Sequence, residues 1–361
     1  MKKLVIEKSK LIDNISKLKS ITNTPFIATL KNNGYGLGLD EFPKLLEEIG
    51  IEFFAVATIE EAIKLRENGI KSKIMMLHST AIEEDLLTLL NYDIIPTIGS
   101  FEALYTLDKL SKLNNVPLYA QLKIDTGFGR FGFLPNDILK LVDELKARPN
   151  IGIVGTFSHF TSSFNEKSDY TEKQFNIFNR CISMLADSGI EPGIRHICNS
   201  SAFLTKLHMH LDAVRIGSAL LGRILVPNSL ELNKIGYMIS SIEDIKVLPA
   251  NHYIGYSNTY KTKKETKIGV VPVGYLDGFE LKKGQDCFDI LGTLREIYNK
   301  IKDFNKKIYV EVNNKKVPVL GKIGTNNIII DLTDIDANIN DLVKLDINPM
   351  VVRPDIERSF C

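Results

Sequence analysis

A lysine followed by three glycines marks the first candidate site in the sequence. Lys31 ends an apolar, strand-like segment, and Gly34, Gly36 and Gly38 follow within eight residues. Desolvation at a strand end lowers the pKa of a lysine, which keeps its amine neutral and able to form an imine. The flexible glycine loop beside it could cradle an anion. The same residues also suit an ordinary surface loop, and this segment alone favours that simpler interpretation.

Further basic residues stand near the ends of other apolar segments. Lys123, His159, His196 and Arg215 all fall toward the C-terminal ends of predicted strands, or just beyond them. Enzymes built on a parallel barrel gather their catalytic residues at that end of the strands. The positions therefore predict that these side chains and Lys31 meet at one face of such a barrel.

The first two-thirds of the chain supplies the elements of that barrel. Short runs rich in β-branched and aromatic residues alternate with amphipathic stretches, as expected for strands buried on both faces. Eight strands separated by helices within about 200 residues fit a (β/α)8 barrel better than an open doubly wound sheet. The predicted strands are 25–31, 53–57, 74–77, 94–97, 118–124, 151–158, 194–197 and 213–216. The predicted helices are 41–49, 59–68, 83–90, 101–113, 137–147, 172–188 and 201–207.

The pattern changes after about residue 235, where strand-like segments and turn signals dominate. One helical insert, at about residues 287–304, interrupts them. We therefore predict an α/β protein with a TIM barrel over residues 1–235 and a mostly β C-terminal domain over residues 236–361. The strands predicted in the second domain are 242–247, 267–273, 307–312, 316–320 and 328–332.

Composition and charge exclude several classes of function. The 361 residues include 45 Lys and Arg against 44 Asp and Glu, so a net charge of +1 draws the chain to neither nucleic acid nor an anionic membrane. The apolar runs are far too short to span a bilayer, and no signal-peptide core follows the basic start. The four scattered cysteines lack metal-ligand spacing and are interpreted as reduced thiols. We expect a cytoplasmic enzyme without nucleic-acid, membrane or metal partners.

Seven short motifs, in order over almost the whole chain, identify a related family. They are KNNGYGLG at 31–38, KIDTGFGRFG at 123–132, SHF at 158–160, HICNS at 196–200, VRIG at 214–217, YSNTY at 256–260 and VPVGYLDG at 271–278. The first two resemble K-A-N-A-Y-G-H-G and K-x-D-T-G-M-G-R-x-G of the alanine racemase family, and the last two resemble its Y-G-x-T-Y and V-P-x-G-Y-A-D-G. The family consists of pyridoxal-phosphate enzymes with the type III fold.

The resemblance implies a pair of catalytic bases. Lys31 would hold pyridoxal 5′-phosphate covalently and act as one base, and Tyr256 would be the second base on the opposite face of the substrate. In the family this tyrosine comes from the partner subunit of a head-to-tail homodimer, so the resemblance implies composite active sites. Without its flanking motif, Tyr256 would be interpreted as a strand tyrosine packed at a domain surface.

The resemblance also implies a cofactor site. Arg215 would face the pyridine nitrogen, where its charge disfavours protonation of the ring, and His159 would hold Arg215 in place. Without the motifs, the two would be interpreted as a structural pair at a barrel rim. The groups implied to bind the phosphate are the hydroxyl groups of Tyr35 and Ser200 and the backbone N–H groups of Gly217 and Ser218.

The substrate end of the site follows from the same resemblance. Arg130 would reach the substrate carboxylate or the phenolic oxygen of the cofactor, and Thr325 and Tyr275 would contact the substrate. Lys123 matches a position that is often carbamylated in the family, where the carbamate gives the arginine a negative partner. An unmodified lysine at a buried rim is the alternative for Lys123.

The chain departs from the family pattern at the substrate end. The family's C-M-D-Q stretch reads Gly324-Thr325-Asn326-Asn327 here, and a tyrosine that restricts the alanine pocket is missing, the nearest position being Pro354. Loss of a bulky gate should admit a larger or more polar side chain. We expect a racemase of alanine or a related small amino acid, with serine or a larger amino acid as alternatives.

Two other classes share parts of the pattern. A type III decarboxylase or eliminating enzyme would share the lysine and the barrel, but Gly324 stands at the family's cysteine position and Tyr256 lies in a racemase-like motif. A non-catalytic protein that binds the cofactor or an amino acid would suit the altered substrate stretch. Retention of both Lys31 and Tyr256 argues against it.

Overall fold

The computed structural model describes residues 2–165, 168–281, 290–303 and 306–361. Residues 8–235 form one compact unit, and residues 2–7 together with 236–361 form the second. The first strand, β1 (Lys3–Ile6), pairs with two strands of the second unit, one at 237–241 and one at 357–360. The observed division therefore differs from the predicted one over the first seven positions, because β1 belongs to the sheet of the second unit.

Eight parallel strands of the first unit form a nearly closed barrel. They are β2 (Phe26–Thr29), β3 (Phe53–Val56), β4 (Lys73–Ser79), β5 (Ile95–Ile98), β6 (Leu118–Lys123), β7 (Ile151–Phe157), β8 (Ile194–His196) and β9 (Val214–Ile216). From β2 to β8, neighbours along the chain are neighbours in the sheet, and β9 returns to pair with β2. At the remaining edge, the Arg215 N–H donates to the Cys198 carbonyl oxygen just beyond β8 (3.1 Å). Each predicted strand overlaps an observed one.

Helices follow the strands, as an alternating chain requires. The helices of the first unit are α1 (Lys8–Lys19), α2 (Lys31–Tyr35), α3 (Glu41–Glu48), α4 (Ile59–Glu67), α5 (Glu83–Asn91), α6 (Phe101–Asn114), α7 (Ile138–Lys146), α8 (Tyr170–Asp187) and α9 (Ser200–Thr205). In α7 the buried residues are Ile138, Leu141, Val142 and Leu145, the spacing of one apolar helical face. Inside the barrel, apolar side chains from different strands pack into one core: Ile27, Ala55, Met75, Phe157 and Ala213.

The second unit is built on a nine-stranded sheet. Its further strands are β10 (Tyr237–Ser241), β11 (Asp244–Leu248), β12 (Tyr253–Ile254), β13 (Tyr260–Lys261), β14 (Thr266–Val271), β15 (Tyr309–Val312), β16 (Lys315–Leu320), β17 (Ile328–Asp331), β18 (Leu342–Asp346) and β19 (Glu357–Phe360). The sheet order is β11-β14-β17-β16-β15-β18-β10-β1-β19, and β12 pairs with β13 as a separate hairpin. Only β1 and β19 are parallel neighbours in this sheet as described.

The mostly β character predicted for this part of the chain is confirmed. All five predicted strands overlap observed ones, while β10, β18, β19 and the β12–β13 hairpin were not predicted. The predicted insert contains helix α10 (Ile290–Asp303), and its remaining positions, 287–289 and 304, lie outside the described residues. Among the described residues, no helix combines the length and apolarity needed to cross a lipid bilayer.

Candidate active site

Lys31 stands just after β2, where the backbone enters a left-handed turn. Asn32, Asn33, Gly34 and Tyr35 all have positive φ, between 54° and 61°. Asparagine and glycine enter this region more readily than other residues, so the Asn-Asn-Gly sequence favours the turn. Tyr35 is the bulky exception, and surrounding contacts must hold it there. As a result, the side chains of Lys31 and Tyr35 both line one pocket at this end of the barrel.

Glu61 holds this turn from the start of helix α4. Its carboxylate accepts the Asn33 N–H at Oε1 and the Ala57 N–H at Oε2, both at 3.1 Å. Glu61 also forms a capping box with Thr58, the residue before the helix. Glu61 was not predicted as a site residue, although Thr-x-x-Glu at a predicted helix start is a recognisable capping signal.

Arg215 lies on β9 with its guanidinium buried among acceptors. Nη1 donates to His196 Nδ1 (2.6 Å) and to the His196 carbonyl oxygen (3.0 Å), and Nη2 donates to the carbonyl oxygens of Ser158 (2.6 Å) and Ile197 (3.3 Å). His159 Nδ1, the partner expected from the sequence, lies farther away at 3.4 Å from Nη2. The principal imidazole partner is therefore His196, which was predicted at the same end of the barrel but not as the partner of Arg215.

The protonation states in this cluster follow from burial. Burial, and then the charge of Arg215, lower the pKa of both His159 and His196 well below the ordinary value of 6.5, so both rings are neutral. Burial also lowers the pKa of Arg215, to about 10, which leaves the guanidinium charged at neutral pH. Among the described residues, none accepts a hydrogen bond from Arg215 Nε.

The residues expected to bind the phosphate lie together. Ser200 Oγ accepts the N–H of Gly217 (3.1 Å) and that of Ala219 (3.2 Å), with Ser218 between them in the chain. The ring of Tyr35 packs on Gly217 so closely that a Cβ there would lie 2.3 Å from Tyr35 Cε2. Burial raises the pKa of Tyr35 to about 12, which keeps the phenol protonated as a donor. To donate to a phosphate, the Gly217 N–H would have to give up its hydrogen bond to Ser200 Oγ.

Arg130 is carried by a loop that Asp125 organises. The two carboxylate oxygens of Asp125 accept four successive backbone N–H groups, from Gly127, Phe128, Gly129 and Arg130, at 2.7–3.1 Å. The guanidinium carbon of Arg130 lies 4.5 Å from the centroid of the Phe128 ring. Asp125 thus positions Arg130, a role that was not predicted from the motif that contains both residues.

Lys123 ends β6 inside the same cationic cluster. Its Nζ donates to the Leu77 carbonyl oxygen (2.7 Å) and lies 5.0 Å from the centroid of the Phe157 ring. Burial, and then the charges of Arg215 and Arg130, lower the pKa of Lys123 to about 7. A large part of this amine is therefore neutral at physiological pH, which is the form that reacts with an electrophile.

His78 lines the pocket as well, and sequence reasoning missed it. Its ring stacks on Phe131 with centroids 5.2 Å apart and an angle of 27° between the planes. Burial, and then the charges of Lys123, Arg130 and Lys31, lower the pKa of His78. The missed signal was its position near the C-terminal end of predicted strand 74–77, the same position that singled out the other basic residues.

Most of the barrel residues predicted for the site line one pocket, while His196 and Ser218 are not among its lining residues. Burial, and then the charges of Arg130 and Arg215, lower the pKa of Lys31, as the first segment of the sequence suggested. A lowered pKa favours the neutral form of the amine, which is the form that bonds to a carbonyl carbon, and the neighbouring cations suit a carbonyl compound that carries negative charge. The pocket is lined by Thr29, Lys31, Tyr35, Leu77, His78, Lys123, Arg130, Phe157, His159, Asn199, Ser200, Arg215 and Gly217.

The predicted site residues of the second unit form two local groups. Tyr256 is 70% exposed and precedes Ser257, which has a φ of 58° and an Oγ that accepts a bond from Lys322 Nζ (3.3 Å). Separately, the Thr325 hydroxyl donates to the Tyr275 hydroxyl (3.3 Å). Tyr256 is thus presented to solvent on a short loop, rather than packed within a strand.

Comparison with known proteins identifies the family. The model for the alanine racemase N-terminal domain matches residues 6–224, and that for the alanine racemase C-terminal domain matches residues 237–349. The chain belongs to the alanine racemase family. An alanine racemase of Clostridium tetani (strain Massachusetts / E88) is 33% identical over 349 residues, covering 94% of this chain and 84% of that protein.

Other members of the alanine racemase family give the same result. Alanine racemase 1 of Caldanaerobacter subterraneus subsp. tengcongensis is 31% identical over 330 residues, covering 90% of this chain and 79% of that protein. A solved structure of alanine racemase from Clostridium difficile 630 has a TM-score of 0.85 at 26% identity, covering 100% of this chain and 95% of that one. These matches confirm the predicted alanine racemase fold, a (β/α)8 barrel followed by a mostly β domain.

Proposed function

We propose that this chain is a pyridoxal 5′-phosphate-dependent amino-acid racemase that interconverts L- and D-alanine or a related small amino acid. The single observation that carries the proposal is the barrel pocket, where a lysine of lowered pKa lies beside a buried arginine. Lys31 supplies the amine and Arg215 a fixed charge. Family membership and relatives named alanine racemase support the same reaction.

The residues present fit this cofactor. Arg215 has one guanidinium N–H, at Nε, for which the described residues offer no acceptor, and a pyridine nitrogen is such an acceptor. A Cβ at position 217 would collide with Tyr35. Because Gly217 has none, its backbone and the Tyr35 phenol lie close enough together to form a cradle for a phosphate. Ser200 adds a hydroxyl to that cradle.

The cofactor, when bound, withdraws electrons from the substrate α-carbon, which makes the α-proton acidic. Lys31 then accepts or returns that proton at Nζ on one face, and Tyr256 does the same at Oη on the other. Inversion requires two proton acceptors on opposite faces, or a single acceptor that can move, and Lys31 with Tyr256 meets the first requirement. The charge of Arg215 disfavours a second positive charge nearby, which restrains electron withdrawal and limits side reactions.

The remaining residues bind and orient the substrate. Arg130, held by Asp125, pairs with the substrate carboxylate or with the phenolic oxygen of the cofactor. Lys123 either stays a neutral amine or becomes a carbamate that gives Arg130 a negative partner. Thr325 and Tyr275, joined by a hydrogen bond, contact the substrate. The changed stretch 324–327 and Pro354 leave serine or a larger amino acid as alternative substrates.

The two bases lie in different units, Lys31 in residues 8–235 and Tyr256 in residues 236–361. We propose a domain division near residue 235 and a head-to-tail homodimer in which each active site combines a barrel with the tyrosine of the other subunit. The buried free thiols of Cys181 and Cys198 agree with the reducing cytoplasm that we propose as its location.

Borohydride trapping and a substrate panel test the proposal together. The protein is loaded with pyridoxal phosphate, reduced and digested, and the modified peptide is expected to contain Lys31. Loaded protein is also incubated in D2O with L- and D-forms of alanine, serine and larger amino acids, and α-proton exchange is followed by NMR. Attachment elsewhere would refute the site. Release of carbon dioxide or of pyruvate and ammonia would favour a decarboxylase or an eliminating enzyme, and attachment at Lys31 without exchange would favour a binding protein.

A further inference from the structure

Three buried polar side chains form a row inside the barrel: Gln121 on β6, His196 on β8 and Arg215 on β9. Gln121 Oε1 lies 3.1 Å from His196 Nε2, and Arg215 Nη1 lies 2.6 Å from His196 Nδ1. The exposed fractions of the three residues are 1%, 0% and 4%. Because water cannot reach His196, each of its ring nitrogens depends on the protein partner that faces it.

This row fixes which nitrogen of His196 carries the proton. A guanidinium has only donors, so the contact with Arg215 requires a lone pair on His196 Nδ1. The ring is neutral, because burial and the adjacent charge lower the pKa of His196 well below 6.5. The single proton therefore lies on Nε2, and the atom of Gln121 that faces it must be the accepting carbonyl oxygen. The two contacts are consistent only in this arrangement.

The surrounding barrel packs against the ring of His196 and leaves room for the amide of Gln121. Phe157 stacks on the ring of His196 with centroids 5.1 Å apart and planes 2° from parallel. Gly155 on β7 pairs in register with Gln121, and a Cβ at position 155 would lie only 2.4 Å from Gln121 Oε1. A glycine in the interior of a strand weakens the strand, but at position 155 it leaves the space that the side-chain amide of Gln121 occupies.

We propose that Gln121 is a positioning residue for Arg215, acting through the tautomer of His196. By accepting from Nε2, Gln121 keeps the lone pair on Nδ1. That lone pair anchors Nη1 of Arg215 and leaves Nε available to the pocket. The consequence for the cofactor rests on the proposed function, in which Arg215 faces the pyridine nitrogen. The tautomer itself does not depend on that function.

The test uses Gln121→Met, which keeps the length of the side chain and removes the acceptor. Long-range ¹H–¹⁵N NMR of histidine-labelled protein without added cofactor reports which ring nitrogen of His196 is protonated. We expect a proton on Nε2 alone in the wild type, and a population protonated on Nδ1 in the variant. The matched control is Gln174→Met, since Gln174 is also fully buried and bonds to Thr161 and to the His159 carbonyl. It should leave the His196 signals unchanged.

A second measurement is the affinity of the protein for pyridoxal phosphate, titrated by absorbance. Loss of one anchoring bond to a charged group corresponds to about a tenfold weaker binding in Gln121→Met. A wild-type His196 protonated on Nδ1 or on both nitrogens overturns the inference, and this result needs no variant to fold. An unchanged tautomer in a folded Gln121→Met protein overturns it as well. If the tautomer responds as expected but no α-proton exchange is found on any amino acid, the proposed function fails and the positioning role of Gln121 stands.

Discussion

Lys123 offers a quantitative test of how burial acts on the barrel pocket. Its pKa is lowered from an ordinary 10.5 to about 7, first by burial and then by the charges of Arg215 and Arg130. Between those two pH values the unfolded chain binds about one proton more than the folded protein at this residue. Stability therefore rises with pH through this window, and the destabilisation is complete below pH 7.

The size of the effect follows from the lowered pKa. Integrating the difference in bound protons from pH 7 to pH 9 gives a gain in the free energy of unfolding of about 2 kcal/mol from Lys123 alone. Lys123→Met removes the titrating group and should lose this gain. The exposed Lys64 provides the control variant Lys64→Met, which should keep the pH dependence of the wild type.

The assay is urea unfolding of cofactor-free protein in buffer free of carbon dioxide, at pH 7 and pH 9. From pH 7 to pH 9, the free energy of unfolding should increase by about 2 kcal/mol more in the wild type and in Lys64→Met than in Lys123→Met. If Lys123→Met gained as much as the wild type, the burial argument would be refuted. A neutral amine also reacts with carbon dioxide, so ¹³C-bicarbonate should give a carbamate carbon signal that Lys123→Met lacks.

Three further predictions concern single residues. Asp125→Asn replaces an acceptor of four N–H groups by a side chain that accepts at one oxygen only. Urea unfolding should show a loss of about 3 kcal/mol in the free energy of unfolding, and the KM should rise because Arg130 is held less firmly. An unchanged KM would show that Arg130 does not meet the substrate. Gly217→Ala places a Cβ against the ring of Tyr35 and should weaken cofactor binding at least tenfold, as measured by absorbance titration. An unchanged affinity would contradict the role of Gly217 in the phosphate site. Tyr256→Phe should suppress α-proton exchange of one enantiomer in D2O far more than that of the other, and equal losses would contradict two bases on opposite faces.

Much of the fold was predictable because its elements are locally encoded. The eight barrel strands are short apolar runs between amphipathic helices, and each predicted strand overlaps an observed one. The missed strands β10, β18 and β19 are short and partly exposed, and their pairing partners lie far away in the chain. The strand β1 was also not predicted, and its register with β10 and β19 places it in the sheet of the second unit.

The candidate site was predictable to the extent that it rests on motifs. Lys31, Arg130 and Arg215 were found from the sequence, and the structure brings them to one pocket. Glu61 and His78 were missed, because neither lies in a quoted motif. Their contacts with the pocket exist only after distant strands have been brought side by side.

The sequence by itself determined the order of strands and helices, the family, and the residue types that carry the proposed chemistry. It did so because periodicity and motifs are properties of neighbouring positions. Only the tertiary structure decided that His196 rather than His159 is the principal imidazole partner of Arg215, and that the pKa of Lys123 falls to about 7. Both depend on desolvation and on charges contributed by distant strands. Those quantities are set by burial in three dimensions, and no spacing along the chain specifies them.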